Sequence, residues 1–316
     1  MNPLTRRSAL AGLGALTATA VAGTAPAFAT PSGIGPVLDL SHATPQLARQ
    51  VTALFRDKTS RNVARTMSHF ARRPMYYTDA TLGWYLPTWG SLKAIFDQYM
   101  PTWPATARSY ATRVLGDERS AIVEFTDSPE LFGHEGRVIA ALDFTDGLVV
   151  RQVDYSDGRH FGIAATNAAR VPDAQFPRTF GEDVIPDRSS PALRDVARRL
   201  TAALASGDTA GLFTVDATFE DLTLHSTFVG ALAIDAYVKR AFRRLPYGPG
   251  TTIRHTVGSA RGGGYEWINP ATPADHGVVA LELDSARKIS RLTTVWDGSR
   301  LSDDAMTVLL SDTLER

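Results

Sequence analysis

Two aspartates, Asp79 and Asp221, stand at matching places in two similar stretches of the chain, where each closes a short strand-like run. The runs cover residues 75–79 and 217–221. A carboxylate that lies among apolar strand residues and near a second carboxylate is suited to general acid–base chemistry, because burial and mutual repulsion drive the two pKa values apart. Asp79 and Asp221 are therefore candidate catalytic residues. The alternative is that each caps the loop before the next helix, a frequent role for aspartate.

Strand alternation predicts which side chains share a face with these aspartates. Residues two apart on a strand point the same way, so Tyr77 shares the face of Asp79. Arg137 lies on a later strand and shares its face with Ile139. The surroundings of Asp221 are expected to be more apolar and aromatic. The candidate substrate-binding residues are Tyr77, Arg137, Phe219, Trp267 and Trp296.

The other residues that could carry chemistry are expected to be structural. Asp157 and Asp297 each precede a glycine, which is typical of turns. Arg151 and Arg291 are expected to form exposed or rim ion pairs that contribute little to stability. The histidines lack ligand-like spacing, and the absence of cysteine excludes disulfides, thiolate ligands and thiol nucleophiles. No metal and no other cofactor are expected.

The elements that position these residues are predicted twice in the same order. A helical stripe begins at Leu47 and again at Leu193, and each is followed by the strand that ends in aspartate, a further helix and several strands. Asp146 and Gly147 predict a tight hairpin turn between the last two strands of the first copy. The closing segments, residues 148–158 and 288–298, match at a constant offset of 140. Duplication of one α+β unit is the simplest explanation.

The first 29 residues have the pattern of an export signal. Arg6 and Arg7 precede a soft apolar stretch that ends at Ala27-Phe28-Ala29. The paired arginines favour the twin-arginine pathway, with cleavage after Ala29. The alternative is a general secretory signal that happens to contain two arginines. The stretch is too short and too dilute in large apolar residues to predict a membrane anchor.

Length and charge narrow the class of protein. The chain has 316 residues, which predicts two modest domains rather than one. It carries 33 basic and 33 acidic side chains, and 31 and 33 remain without the first 29 residues, a formal charge of −2. This balance argues against a nucleic-acid-binding protein, which needs a concentrated basic surface.

The order of elements, the strand that ends in aspartate and the closing Trp296-Asp297-Gly298 resemble the nuclear transport factor 2-like fold, and within it the SnoaL-like group. The resemblance covers residues 47–162 and 191–301. It implies a strongly curved antiparallel sheet that wraps helices into a cone with a mostly apolar pocket. Members of this superfamily include cofactor-free acid–base enzymes: ketosteroid isomerase, limonene epoxide hydrolase and polyketide cyclases. Asp79 and Asp221 match the position of the isomerase's general base.

The match to ketosteroid isomerase is partial. Its oxyanion tyrosine would fall at Leu200 and near Phe55, and its second acid near Val279 and Ile139, so this chain lacks the donors that stabilise a dienolate. Ketosteroid isomerisation is therefore not expected. The resemblance also places Asp154 on the inner face of the last strand of the first copy, which makes it a third candidate catalytic residue. It predicts one cluster of Tyr77, Asp79, Arg137 and Asp154.

We therefore expect an α+β protein with two cone-shaped domains, at residues 47–162 and 191–301, joined by linkers at 30–46 and 163–190 and followed by a tail at 302–316. The expected function is that of an exported, cofactor-independent cyclase, isomerase or hydrolase that acts on a small apolar molecule. The alternative is a non-catalytic protein that binds a small molecule, or serves as a scaffold, through the same pockets. Neither nucleic acid nor a stable membrane anchor is expected, and the two domains could pack on each other or form a homo-oligomer.

Overall fold

A computed structural model describes residues 38–314, which form two α+β units that follow one another along the chain. The first unit contains a seven-stranded sheet with the strand order β1-β4-β5-β6-β7-β2-β3. Its strands are β1 (Asp39–Ala43), β2 (Tyr76–Asp79), β3 (Trp84–Leu86), β4 (Ser109–Gly116), β5 (Ser120–Asp127), β6 (Gly136–Thr145) and β7 (Leu148–Tyr155). Its helices are α1 (Pro45–Thr59), α2 (Val63–Met67), α3 (Trp89–Tyr99) and α4 (Pro129–Phe132).

The second unit contains a six-stranded sheet with the order β10-β11-β12-β13-β8-β9. Its strands are β8 (Phe213–Asp221), β9 (Ser226–Val229), β10 (Thr252–Ser259), β11 (Gly262–Ile268), β12 (His276–Leu283) and β13 (Ile289–Trp296). The connecting helix α5 (Ile163–Ala169) precedes α6 (Pro191–Ser206) and α7 (Ala231–Ala241), and α8 (Asp303–Asp312) follows the last strand. The expected α+β class is confirmed, although each sheet is mixed rather than wholly antiparallel, because β2 pairs in parallel with β7 and β8 with β13.

The long helix of each unit starts where the sequence signals predict. Thr44 caps α1 by accepting a hydrogen bond from the Leu47 amide, and Pro45 takes the first turn, where it loses no helical hydrogen bond. Ser190 and Pro191 do the same for α6. The predicted stripes of both helices are buried against the sheets. Apolar burial of this kind stabilises the fold by about 25 cal/mol per Å².

Register shifts bend the strands of both sheets. They occur between β4 and β5, β6 and β7, β10 and β11, and β12 and β13. A bulge of this type increases the local twist, so each sheet curves around its own helices. The concave side of each sheet therefore holds a separate apolar core.

The other faces of the two sheets pack against each other and share a third apolar core, which contains residues from both units. The run Gly262-Gly263-Gly264 lies at this contact. A Cβ atom at Gly264 would lie 2.8 Å from Cγ1 of Ile122 in the first unit, and one at Gly262 would lie 3.6 Å from Cβ of Leu115. The glycines therefore let the two sheets approach closely.

A buried charge network lies between the sheets, around Arg151, whose side chain is completely buried. Its Nη2 atom donates to Oε2 of Glu266 at 2.6 Å, and its Nη1 atom lies 3.4 Å from Oδ2 of Asp143. His255 of the second unit lies 2.9 Å from the same Asp143 oxygen. The expectation of an exposed or rim ion pair is wrong for Arg151, because the second sheet covers it. Arg291 keeps about a third of its side chain exposed and pairs with Glu220.

The contacts between the units come in exchanged pairs. The Gly158 amide donates to Oδ1 of Asp297 at 3.2 Å, and the Gly298 amide donates to Oδ1 of Asp157 at 2.9 Å. Each aspartate thus closes its own turn, as expected, and also binds the backbone of the other unit. These contacts are therefore reciprocal: the aspartate of each unit binds the glycine amide of the other.

Some parts of the described chain differ from the expected boundaries. Strand β1 lies in the stretch 30–46 that the sequence predicts as a linker, and it pairs in parallel with β4. Helix α5 lies in the expected linker 163–190, and α8 lies in the expected tail. The export signal predicted for residues 1–29 lies outside the described residues. Within residues 38–314, no helix combines the length and the apolar character that a membrane span requires.

Candidate functional site

Strand pairing brings Asp79 and Asp154 together in the first unit. Strand β2 joins the edge of β7 in parallel register, with Asp79 directly beside Asp154. The Ala80 amide then donates to the Asp154 carbonyl oxygen at 2.9 Å, which fixes the end of β2. The amides of Thr81 and Leu82 both donate to Oδ1 of Asp79, at 3.0 and 2.9 Å. The aspartate therefore caps its turn and also holds its carboxyl group beside a second carboxylate.

Asp154 is held by two side chains of the same face. The Tyr77 hydroxyl donates to Oδ2 of Asp154 at 2.7 Å, and Nε2 of Gln152 donates to its Oδ1 at 2.8 Å. The Oε1 atom of Gln152 is buried and has no hydrogen-bond partner among the described residues. Tyr77, Asp79 and Gln152 are half-buried, so solvent reaches the edge of this cluster.

Burial shifts the pKa values of this cluster in a direction that favours proton transfer near neutrality. Burial and the charge of Asp154 together raise the pKa of Asp79 to about 7, although the two amide hydrogen bonds lower it. Burial also raises the pKa of Asp154, although the hydrogen bonds from Gln152 and Tyr77 oppose this shift. The Tyr77 hydroxyl stays protonated, because burial and the two carboxylates raise its pKa well above the usual value.

Asp221 in the second unit has a different environment. Its Oδ1 atom accepts from the amides of Thr223 and Leu224, both at 3.0 Å. Its Oδ2 atom accepts from the Tyr247 hydroxyl at 2.8 Å and from Nε1 of Trp296 at 3.2 Å. The residue is completely buried, and burial raises its pKa to about 6. All four hydrogen bonds come from the protein itself, which is the pattern of a structural carboxylate.

The registers of the two sheets reveal what replaces the rest of the cluster in the second unit. Asp221 pairs with Thr294 as Asp79 pairs with Asp154, and Phe219 pairs with Leu292 as Tyr77 pairs with Gln152. The three neighbours of Asp79 are a tyrosine, a glutamine and a second aspartate. The second unit has Phe219, Leu292 and Thr294 at the corresponding positions, so it lacks the phenol, the amide and the second carboxylate. Only the aspartate itself is common to both sites.

The other predicted binding residues lie away from the Asp79 cluster. Arg137 shares a face with Ile139, as expected, but Ile139 belongs to the core between the sheets, so Arg137 lies on the opposite face of β6 from the cluster. It is mostly exposed and pairs with Glu135. The predicted grouping is therefore wrong for Arg137, because alternation defines two faces without saying which is concave. Phe219, Trp267 and Trp296 are packed in the core of the second unit, each at most 1% exposed.

The structure gives no candidate metal centre. Among residues 38–314, no group of three or more histidine, aspartate or glutamate side chains is arranged to hold a metal ion. Two clefts lie between the units, and neither of these two is lined by Asp79 or Asp221.

Two residues of these sites could not be found from sequence patterns. Tyr247 lies in the loop after α7, and nothing in its local sequence indicates that it returns to Asp221. Gln152 is on the predicted inner face, but its contact with Asp154 follows from a side-chain conformation that alternation does not specify.

No protein-family profile and no curated protein matches this chain. Among solved structures, it is similar to a nuclear transport factor 2-like protein of unknown function from Burkholderia xenovorans, at 16% identity over 35% of this chain and 82% of that one, with a TM-score of 0.31. It is similar to a steroid delta-isomerase from Pseudomonas aeruginosa, at 12% identity over 40% of this chain and 92% of that one, with a TM-score of 0.31. A nuclear transport factor 2-like protein from Cytophaga hutchinsonii is 6% identical over 35% of this chain and 90% of that one, with a TM-score of 0.30.

Proposed function

We propose that the first unit is a cofactor-independent acid–base site for a small, mostly apolar molecule, with Asp79 as the group that accepts and returns the proton. One observation carries this proposal. The first unit surrounds its aspartate with a second carboxylate, a tyrosine and a glutamine, whereas the second unit has threonine, phenylalanine and leucine at the same register positions. Asp221 has no polar neighbours from those register positions, and its carboxylate is held instead by two backbone amides, the Tyr247 hydroxyl and the Trp296 indole.

Each residue of the cluster has a separate task in this scheme. The two backbone amides orient the Asp79 carboxyl group through Oδ1, and none of the described residues donates to its Oδ2 atom, which is the oxygen available for a ligand proton. A pKa of about 7 lets Asp79 take up and release a proton in neutral solution. Asp154 keeps this pKa high by its charge, and Tyr77 and Gln152 position Asp154. The half-buried aromatic side chains Trp89 and Phe96 pack on the same concave core and supply apolar contact.

The test uses 5-nitrobenzisoxazole, whose ring opens on removal of one proton by a general base and gives a coloured phenolate. We expect the protein to accelerate this opening by about 10² to 10⁴ over buffer, the usual contribution of a positioned base. The rate should increase with pH and level off above about pH 7, since Asp79 is then ionised. Asp79→Asn should abolish the acceleration.

Asp221→Asn is the matched control, because it makes the same change at the equivalent place in the second unit. It should keep the acceleration, and near-ultraviolet circular dichroism checks that both variants are folded. Equal rates for the wild type and a folded Asp79→Asn variant would show that Asp79 is not the base. Loss of the rate only in Asp221→Asn would assign the chemistry to the second unit.

Binding without turnover is the second candidate function, and it is favoured by the absence of Asp79 and Asp221 from both clefts. In that case 2-naphthol, a small apolar molecule with one hydroxyl donor, should raise the Tm of the wild type and of Asp79→Asn alike. No chemical change of 5-nitrobenzisoxazole beyond the buffer rate should be seen. A rise that disappears in Asp79→Asn would instead tie recognition to the carboxyl group.

We also propose that the protein is exported by the twin-arginine pathway, on the basis of Arg6, Arg7 and the Ala27-Phe28-Ala29 end of the apolar stretch. Expression of the full chain should give an extracytoplasmic product that begins at Thr30. Replacement of Arg6 and Arg7 by lysine should keep the product inside the cell, whereas a general secretory signal would still export it.

A further inference from the structure

Two adjoining clefts lie between the units, with volumes of about 380 and 90 Å³. Both are lined by the same three titratable residues, Asp157, His160 and His225. His160 follows the last strand of the first unit and His225 lies in the turn between β8 and β9 of the second, so the polar centre of the cleft is assembled from both units. None of these residues belongs to the Asp79 cluster.

The two imidazole rings are neighbours in the cleft, with their centroids 6.1 Å apart and their planes inclined at 52°. Nε2 of His160 lies 2.6 Å from the Glu135 carbonyl oxygen. Because a carbonyl oxygen only accepts, Nε2 carries a proton, and Nδ1 is the ring nitrogen left for a ligand. His225 has a φ of 50°, which lies in the left-handed region that residues other than glycine adopt infrequently. The turn therefore holds this imidazole toward the cleft at a cost in backbone strain.

The remaining charged groups of the cleft are already paired. Nη1 of Arg159 donates to Asp303 at 2.6 Å, and Nε of Arg137 donates to Glu135 at 3.1 Å. Oδ1 of Asp157 accepts from the amides of Arg159 and Gly298. Asp157 is thus held only by backbone amides, and the two imidazoles have no charged partner among the described residues.

The larger cleft is amphiphilic. Helix α8 contributes Met306 and Leu310 to one wall, next to the histidines. The smaller cleft adds Phe161, Leu222 and Val295 on the other side of the same polar centre. A ligand that fits this lining has a polar head at the histidines and a short apolar tail.

We propose that the cleft between the units binds a small amphiphilic monocarboxylate, whose carboxylate lies between His160 and His225 and whose apolar tail lies on Met306 and Leu310. An anion is favoured over a cation because it relieves the repulsion between two neighbouring imidazolium rings and because Asp303 and Glu135 at the rim are bound to arginines. The volume of the larger cleft, about 380 Å³, has room for a carboxylate with a tail of several carbons.

The charges that face this centre make the binding depend on pH. With neutral imidazoles, Arg137 and Arg159 face three acids, Glu135, Asp157 and Asp303, so the cleft carries a formal charge of −1. Burial and the neighbouring His160 lower the pKa of His225 and also that of the nearby His134. Burial raises the pKa of Asp157 to about 6. Acidification below about pH 6 therefore removes the negative charge of Asp157, and protonation of His225 in acid adds a positive one, so a carboxylate should bind more tightly at low pH.

The test is isothermal titration of the full chain with hexanoate at pH 5.5 and pH 7.5, with hexan-1-ol and hexylammonium as probes that have the same tail. We expect one hexanoate per chain, bound about tenfold more tightly at pH 5.5, in line with one additional charge-assisted hydrogen bond. Hexan-1-ol and hexylammonium should bind at least about tenfold more weakly than hexanoate at pH 5.5.

His160→Gln and His225→Gln should each weaken hexanoate binding about tenfold at pH 5.5 and reduce its pH dependence, because Asp157 still titrates in both variants. His42→Gln is the matched control, because His42 lies on β1, outside the clefts, and it should bind as the wild type does. Near-ultraviolet circular dichroism confirms that the variants are folded. The proposal is overturned if hexanoate does not bind, or if hexan-1-ol or hexylammonium binds as tightly as hexanoate. It is also overturned if folded His225→Gln binds hexanoate as tightly as the wild type at both pH values.

Discussion

Replacing Arg151 with methionine removes a guanidinium that is completely buried between the two sheets and replaces it with an apolar chain of similar length. The change takes away the 2.6 Å hydrogen bond to Glu266, the 3.4 Å contact with Asp143 and a 2.9 Å hydrogen bond from Nε to the Phe180 carbonyl oxygen. Asp143 and Glu266 are both completely buried, so neither carboxylate gains water in exchange.

The expected cost follows from these buried acids. Breaking a buried ion pair by removing one partner costs about 3–5 kcal/mol, because the other charge stays buried without compensation. Tyr155 still donates to Oε1 of Glu266, and His255 still contacts Asp143, so the effect should lie toward the lower end of that range.

Urea unfolding followed by tryptophan fluorescence measures this change, since Trp267 and Trp296 are buried in the second unit. Arg291→Met is the matched control at the equivalent strand position. Its side chain is about a third exposed and pairs with a partly exposed Glu220, so its loss should cost less than about 1 kcal/mol. A double-mutant cycle with Glu266→Gln should recover part of the stability lost in Arg151→Met.

Two results would refute this reasoning. If Arg151→Met costs no more than Arg291→Met, the network does not depend on the buried guanidinium. If Glu266→Gln adds to Arg151→Met with no coupling, the 2.6 Å contact does not account for the loss.

Three further predictions concern stability. Asp79→Asn should be more stable than the wild type by up to about 3 kcal/mol at pH 8 and similar to it at pH 4. The reason is that an acid whose pKa is raised to about 7 in the folded protein destabilises it as the pH rises from about 4 to 7. Urea titrations across this pH range measure the difference. The hydrogen bond and charge of Asp143 raise the pKa of His255 more than burial lowers it, so its contribution is present below about pH 6.5 and is lost at higher pH. His255→Gln should therefore destabilise the protein at pH 5.5 more than at pH 8.5, and an equal loss at both values would contradict the assignment. Gly264→Ala should lower Tm, since its Cβ atom would lie 2.1 Å from the Val279 carbonyl oxygen. Gly90→Ala should leave Tm unchanged or raise it slightly, since its Cβ atom would lie 4.0 Å from Oγ1 of Thr88.

Local patterns predicted the features that depend on nearby residues. Asp146 and Gly147 have φ values of 52° and 78°, as the two central residues of a tight hairpin require, and the sequence shows this pair directly. The apolar stripe from Leu47 predicted the buried face of α1, because its spacing is a property of the helix alone. The shared face of Tyr77 and Asp79 likewise follows from strand geometry.

Features that depend on the other unit could not be predicted in the same way. In the sequence, Arg151 has no feature that distinguishes it from an exposed strand residue. It is buried only because the second sheet, which comes more than a hundred residues later in the chain, covers it and supplies Glu266. Alternation alone groups Arg137 wrongly with Tyr77 and Asp79, because it does not distinguish the concave face of the sheet from the face between the sheets. The cleft at His160 and His225 has no signal in sequence spacing, since its two halves come from different units.

The exchanged hydrogen bonds between Asp157 and Gly298 and between Asp297 and Gly158 join partners on a single polypeptide. An association of separate subunits weakens on dilution, whereas a covalent connection keeps its two halves at a high effective concentration at any protein concentration. Every molecule therefore contains one copy of each half. Under such an arrangement, one half can keep a cluster of polar side chains while the other has largely apolar ones at the same register positions, a difference that identical subunits encoded by one sequence cannot have.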